Sequence, residues 1–328
     1  GKDGKTYMLY PDDWTDATFR NSLREEYSLT TNYGTPTTTF YMSTSYLKMN
    51  GISLGSDYRR ISARFKGDAQ VKPWLKLFGN VSYANYKANS LRDDGNSASP
   101  SNVFALTKVA PIYPLYFRDA QGNILYDQRT GLPLYDYGDG ATLPNVRAYM
   151  NRSNPLSDNQ LDSNGANGNT FNGAGNAEIR FLKDFRLSLN NTVFWGDYRG
   201  TTTYNPWYGQ NASQKGHVYK KHDRTLTYTL QQLLNWHRVF GKHDVEVMLG
   251  HEYFRYRYYN LNGDKLKTFS YQTTELNGAI QVGNAYSYMN EYNTEGYFGR
   301  AQYNYDNRYF GSLSFRRDAS SRFDPAHR

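Results

Sequence analysis

Apolar and polar residues alternate along "ISARFKGDAQV", with Ile61, Ala63, Phe65, Gly67, Ala69 and Val71 on one parity and Ser62, Arg64, Lys66, Asp68 and Gln70 on the other. Successive strand side chains point to opposite faces, so such a segment has one apolar and one charged side. The pattern recurs. "LKLFGNVSYANY" sets Leu75, Leu77, Gly79, Val81 and Tyr83 against Lys76, Asn80 and Ser82, and "FRLSLNNTVFW" sets Phe185, Leu187, Leu189, Val193 and Trp195 against Arg186, Ser188, Asn190 and Thr192. Leu226, Tyr228, Leu230, Leu234 and Trp236 continue it, as do Val245, Val247, Leu249 and Tyr253. Tyr297, Gly299, Ala301, Tyr303 and Tyr305 follow, then Tyr309, Gly311, Leu313 and Phe315. The period is two over about nine residues or more, so strands are predicted throughout.

The connections come in two lengths. Short polar turns are expected at Gly34-Thr35-Pro36-Thr37, Lys72-Pro73-Trp74, Lys183-Asp184, Gly241-Lys242-His243 and Asp306-Asn307-Arg308. Longer links are expected at about 48–57, 87–176, 196–221 and 260–295. Tight turns alternating with long loops, on about ten strands of dyad pattern, point to an outer-membrane barrel with short periplasmic and long extracellular connections. Tyr46, Tyr83, Tyr86, Trp195, Trp236, Tyr253, Tyr256 and Tyr258 lie near strand ends, where aromatic girdles belong. Glycines on the apolar parity (Gly67, Gly79, Gly299, Gly311) suit a curved sheet. The predicted fold is all-β: a transmembrane antiparallel up-and-down barrel wall, apolar face to lipid and charged face to a wet lumen. An open sheet cannot satisfy its backbone in a bilayer, so these strands are expected to be part of a larger barrel.

Composition sharpens this picture. The chain has 328 residues with 32 Tyr, 16% aromatic and 21% charged, which argues against disorder and against large aliphatic cores. Cys is absent, which excludes disulfides and thiolate metal sites. The net charge of +8 suits anionic partners: nucleic acid, lipopolysaccharide or an acidic substrate. The positives are spread rather than clustered, which weighs against nucleic acid. No stretch is long and apolar enough for a spanning helix. The opening "GKDGKTYMLYPDDWTDATF" has neither initiator Met nor signal-peptide pattern and reads as a piece of something longer.

The terminal stretch "YFGRAQYNYDNRYFGSLSFRRDASSRFDPAHR" resembles the signature strands of SusC/RagA-like TonB-dependent transporters of the Bacteroidetes outer membrane. Its run is Arg316, Arg317, Asp318, Ala319, Ser320, Ser321, Arg322 and Phe323. The segment "DDWTDATFRNSLREEYSLTTNYGTPTTTFYMSTSYLKMNGISLGSDYRRISARF", with Leu47, Gly51 and Ile52 at a link before a strand start, and the turn "VKPWLKL" are similar to early barrel strands of the same family. The likeness spans the chain with gaps in the loops, and is poor across 89–176. It implies a barrel of about 22 strands with an amino-terminal plug. It also implies a SusD-like surface lipoprotein as cap and an oligosaccharide or peptide ligand held between cap and barrel. TonB would pull on the plug, and the location would be the outer membrane of a Gram-negative bacterium. On this reading residues 1–328 are part of one barrel domain, 87–176 is a long extracellular loop region, and plug and C-terminal strands lie outside the sequence.

Candidate residues follow from loop chemistry. "WGDYRGTTTYNPWYGQ" offers Trp195, Tyr204, Trp207 and Tyr208 as substrate contacts, because flat rings stack on sugar faces or peptide side chains; packing against loop or partner is the competing role. Arg316, Arg317 and Arg322 could hold an anion, but packing along the strand with barrel carboxylates is the commoner use of such residues. "LDSNGANGNTFNGAGN" starts like a calcium loop at Asp162 and Asn164, then lacks the third ligand at Ala166 and a closing Glu, so a mobile loop is expected; "YDYGDG", with Asp136 and Asp139, is equally weak. No cofactor is expected beyond that weak calcium reading. His217, His222, His237, His243 and His251 lack metal-ligand spacing. The apolar connection "SNVFALTKVAPIYPLYF" is expected to fold over the lumen mouth or dock the partner. No nucleophile elbow or phosphate loop occurs, so transport without catalysis is expected, although His251 or His217 beside a Ser could serve a barrel hydrolase. A soluble glycan-binding β-sheet protein is the rival, and would bury the apolar parity beneath a second sheet.

Overall fold

The computed structural model describes residues 1–91, 109–142 and 145–324. Ten strands form one antiparallel sheet in sequential order. They are β1 (Arg24–Gly34), β2 (Thr38–Asn50), β3 (Asp57–Lys72), β4 (Leu75–Asn89), β5 (Ser163–Phe181), β6 (Phe185–Tyr204), β7 (His217–Phe240), β8 (His243–Thr268), β9 (Ala279–Tyr305) and β10 (Tyr309–Ser320). The sheet is not closed, and β1 and β10 are its edges. All five expected short turns join the predicted pairs. Asp306 and Asn307 both adopt positive φ, and the two-residue β7–β8 turn uses Gly241 at φ 59°, the left-handed backbone that matches strand twist in tight hairpins.

The apolar parity is uncovered. Ile61 is 57% exposed, Phe65 47%, Leu249 58% and Leu313 74%. No second sheet covers these residues among the described segments, so the ten strands do not pack as a sandwich. The opposite parity carries Ser62, Arg64, Asn80, Ser82, Asn190 and Gln231, with hydrogen bonds such as Arg64 Nε to Asn80 (3.0 Å) and Asn190 Nδ2 to Gln231 (2.9 Å).

The strands run further than the sequence predicts. β5 to β9 have 19, 20, 24, 26 and 27 residues, whereas a tilted span needs only about 9–11. The long links shrink accordingly, and that between β4 and β5 covers 90–162 rather than 87–176. Segment 161–176 is not a mobile loop: from Ser163 it belongs to β5, paired with β4 and β6. At Gly168 the Tyr86 ring lies over the backbone, 2.3 Å from where a Cβ would stand.

Tilt is visible in the register. The row Tyr83–Phe171–Trp195–Leu226–Arg257–Glu291 starts in an aromatic rim and ends in charge. A perpendicular row therefore climbs out of the lipid belt as it crosses tilted strands. Tyr46, Tyr83, Trp195 and Tyr253 share the outward parity. Tyr86, Tyr256 and Tyr258 take the other parity and face the lumen, because position along a strand sets height but parity sets side.

The densest core lies in the loops. Trp14, Val109, Leu115, Tyr135, Tyr137, Met150 and Leu156 form one buried cluster. The amino-terminal segment reaches it through α1 (Trp14–Thr18), capped by the Asp13 carboxylate, and through Asp12, which pairs with Arg118 at 2.6 Å and accepts the Leu115 N–H at 2.7 Å. Helix α2 (Pro155–Leu161) starts with Pro at its first turn and Asn154 as cap, and Asn154 Nδ2 also donates to the carbonyls of Leu115 (3.2 Å) and Asp136 (2.9 Å). Val109 and Leu115 of the apolar connection thus join this crown, while 101–108 lie outside the described residues.

Candidate ligand surface at the barrel mouth

The crown meets the β6–β7 loop through aromatic and charged side chains. Asn205 receives its order from Asp162, which accepts the Asn205 N–H (2.8 Å) and Nδ2–H (2.9 Å), and Asn205 Oδ1 in turn accepts the N–H groups of Trp207 (3.1 Å) and Tyr208 (2.7 Å). This fixes two consecutive rings. Tyr208 stacks on Tyr137 at 5.5 Å and 11°, and its hydroxyl donates to Asp127 at 2.6 Å. Arg129 lies over both Trp207 (5.0 Å) and Tyr208 (5.2 Å), donates to the Tyr208 hydroxyl, and is held by Asp127 at 3.2 Å. Trp207 also meets Tyr271 at 6.0 Å. The Arg129 side chain remains half exposed, so the cluster presents a guanidinium and indole surface to the mouth.

Titration of these groups follows from their partners. Burial opposes the Asp127 carboxylate, but the Tyr208 hydroxyl and the Arg129 N–H and guanidinium more than offset it, leaving Asp127 below the usual carboxylate range. Burial first, then the Asp127 contact, pushes Tyr208 up to about 12. A lowered carboxylate contributes stability that is present above its unfolded value, 3.8, and lost as pH falls through the folded one. The near-ultraviolet circular dichroism of Trp207, identified by difference against Trp207→Phe, is expected to stay constant from neutral pH down to about 4 and to collapse only below that. Loss of the signal already between pH 6 and 5 would show that another group holds the loop.

The four rings singled out by sequence divide. Trp207 and Tyr208 come together around Arg129. Tyr204, the last residue of β6, stacks on His217 at 5.4 Å and 11° and stands beside the same loop. Trp195 does not join them: it lies on the outward parity, in register with Phe171 and Leu226.

Along the lumen face a second group appears that sequence reasoning did not single out. Asp223 accepts Lys221 Nζ (2.8 Å), the Tyr258 hydroxyl (2.8 Å) and Asn260 Nδ2 (2.5 Å). The Tyr219 hydroxyl donates to Asn262 at 2.6 Å. Tyr256 meets Tyr292 at 5.2 Å and Tyr258 meets Tyr288 at 5.8 Å. The available signal was parity, since Tyr256, Tyr258, Tyr288 and Tyr292 all take the even, lumen-facing positions.

The signature run serves the wall. Arg316 Nε donates to both Asp318 oxygens at 2.9 Å and Nη2 reaches Glu252 at 3.2 Å. The Asn293 N–H donates to Ser321 Oγ at 3.0 Å, the Arg322 N–H donates to Ser320 Oγ, and the Arg322 guanidinium sits 4.0 Å over Tyr292. Phe323 N–H donates to the Ser320 carbonyl, whereas Arg317 faces outward. At the weak calcium reading, Asp162 is engaged by Asn205, and Asp136 and Asp139 accept N–H groups of their own turn.

No family model matches the chain. Among curated proteins, it is 26% identical over 335 residues to the TonB-dependent receptor SusC of Bacteroides thetaiotaomicron, covering 96% of this chain and 31% of the relative. It is 22% identical over 322 residues to the TonB-dependent receptor P3 of Formosa agariphila, covering 95% and 30%. The chain thus spans about a third of the length of the curated relatives it matches. Among solved structures, the RagAB peptide transporter superposes with a TM-score of 0.73 at 19% identity over 98% of this chain and 35% of that one. The RagAB peptide importer in its closed-closed state gives 0.75 at 20%, with the same coverage.

Proposed function

We propose that this chain, which is similar to SusC over nearly its whole length and shares the fold of the RagAB transporter, forms part of the wall and mouth through which a bulky nutrient, an oligosaccharide, is imported across the outer membrane of a Gram-negative bacterium. The observation that carries this is the division of faces: the outward parity is apolar and bare, while the lumen parity is hydroxyl- and amide-rich and leads up to Arg129, Trp207 and Tyr208. Tyrosine hydroxyls and side-chain amides suit a neutral polyhydroxyl ligand, and flat rings suit its pyranose faces. The ligand would be held by many weak contacts, with no covalent step. In keeping with the family resemblance, a SusD-like lipoprotein would cover the mouth, and TonB would act from the periplasm through a plug domain.

Calorimetry on the full-length transporter with oligosaccharides and with peptides of matched length tests this. Glycan binding is expected, and Trp207→Ala should weaken it about tenfold, or about 1.4 kcal/mol. Binding of peptides alone would transfer the assignment to peptide import. Binding of neither, together with normal growth of a deletion strain on every polymer, would defeat the import role.

A further inference from the structure

On the outward face, one position above Tyr46 and Ile61, three cations stand side by side. Lys48 is the direct register partner of Arg59, and Arg59 of Lys87. Directly opposed side chains on one face of a sheet lie about 5 Å apart, and like charges so placed are destabilising. All three are exposed, and among the described residues none forms an ion pair. Glu25 stands opposite Lys48 at the β1 end of the row, and Asn167 stands opposite Lys87 at the other, so Arg59 has a cation on each side; the same-face carboxylate Asp57, two residues along β3, accepts Asn89 Nδ2 (2.7 Å) rather than pairing with Arg59. Elsewhere along the same height the cations have neighbours of opposite charge: Arg199 has Asp197 (3.2 Å), and Arg255 and Arg257 share Glu291 (3.2 and 2.9 Å). In the β2–β4 row Glu25 and Asp57 are near, but among the described residues neither forms an ion pair with the three cations.

The row is continuous with the lipid-facing belt. Tyr46 and Ile61 are register partners immediately below it, followed by Ala63 and Phe65 on the same parity. Lys48, Arg59 and Lys87 all lie within three residues of the strand ends that lead to the long loops, so the row is on the extracellular side. A group bound here has its charged part level with the three cations and its apolar part along Ile61 and Phe65. That is the layout of a phosphorylated glycolipid in the outer leaflet: phosphate at the rim, acyl chains against the belt.

We propose that Lys48, Arg59 and Lys87 form a binding site for the phosphate headgroup of an outer-leaflet glycolipid, with Asn167 beside it as an amide donor. This rests on the outer-membrane barrel reading above. The bound anion removes the repulsion within the row and fixes the barrel against its surrounding lipid on one side.

The test uses the full-length protein extracted from outer membranes in mild detergent, with binding of lipid A followed by native mass spectrometry. Phosphorylated lipid A is expected to bind, and dephosphorylated lipid A to bind at least tenfold more weakly. Each exposed cation near an anionic lipid surface contributes about fivefold, so the combined Lys48→Gln, Arg59→Gln, Lys87→Gln variant should lose at least tenfold in affinity. Arg59→Lys alone should retain most of it. Inorganic phosphate at millimolar concentration should not compete; if it does, the site is one for free phosphate and the lipid assignment falls. Equal lipid A binding by wild type and the triple variant, with barrel folding of both verified by heat-modifiable gel mobility, overturns the proposal. Recovery of the protein in the aqueous fraction without detergent would instead overturn the membrane reading on which it rests.

Discussion

Replacing Arg147 by Met is expected to dismantle the loop crown while leaving the sheet intact. Arg147 is only 2% exposed, yet it carries a guanidinium into the crown's interior. Its Nε donates to the Tyr149 carbonyl (2.9 Å), and Nη2 donates to the carbonyls of Met150 (2.7 Å) and Ser153 (2.6 Å). The same group lies 5.3 Å over the Trp14 ring and 5.8 Å over Tyr113. Burial lowers its affinity for a proton, and the nearby Asp136 carboxylate works in the opposite direction. Asp136 is itself raised by burial, so each charge is costly without the other. Methionine would leave the carbonyls of Tyr149, Met150 and Ser153 without their donor, at a cost of about 3–5 kcal/mol. Hydrogen exchange should show loss of protection through 109–157, with protection in β5 to β9 unchanged. Uniform protection in the variant would mean that the apolar cluster alone holds the crown together.

Leu313→Arg is expected to destabilise the membrane-inserted barrel by about 2–4 kcal/mol, whereas Ser312→Arg, one residue away, should change it by less than about 1. The two side chains lie on opposite faces of β10: Leu313 shares its parity with Gly311 and Phe315, and Ser312 is the partner of Gln302 on the lumen side. An arginine among acyl chains must shed its hydration, while one facing the lumen keeps it. Urea titration of the full-length protein folded into phospholipid vesicles measures both. Equal costs for the two variants would remove the distinction between a lipid face and a wet face, and the transporter reading with it.

The wall was legible in sequence for a physical reason. Where one face meets lipid, every second residue must be apolar, and Ile61, Phe65, Leu187 and Leu249 obey. The turns were legible because tight hairpins demand special backbone, as at Gly241 and Asp306-Asn307. Above the rim both faces are wet and alternation is no longer enforced, so the pattern ends β6 and β8 too early and starts β7 and β9 too late. The stretch from Ser163 read as loop because Asn and Gly dominate it, yet the Tyr86 ring lies over Gly168, just as that of Phe298 lies over Gly250. The mouth was half legible. Trp207 and Tyr208 stand out as rings in a loop, but their partners Asp127, Arg129 and Tyr137 lie some 70 to 80 positions away, a distance no local pattern spans.

The great length of β8 has a mechanical consequence. Its outward residues are apolar from Val245 to Leu249, His251 pairs with Glu295 (2.9 Å) below Tyr253, and the remaining stretch from Tyr253 up to Thr268, at about 3.3 Å per residue and a tilt of about 40°, rises roughly 38 Å. Hydrogen-bonded pairing with β7 and β9 makes that projection a stiff chimney rather than a fringe of tethers. On the import reading proposed above, a large solute arriving from outside would meet Trp207 and Arg129 before it met the bilayer.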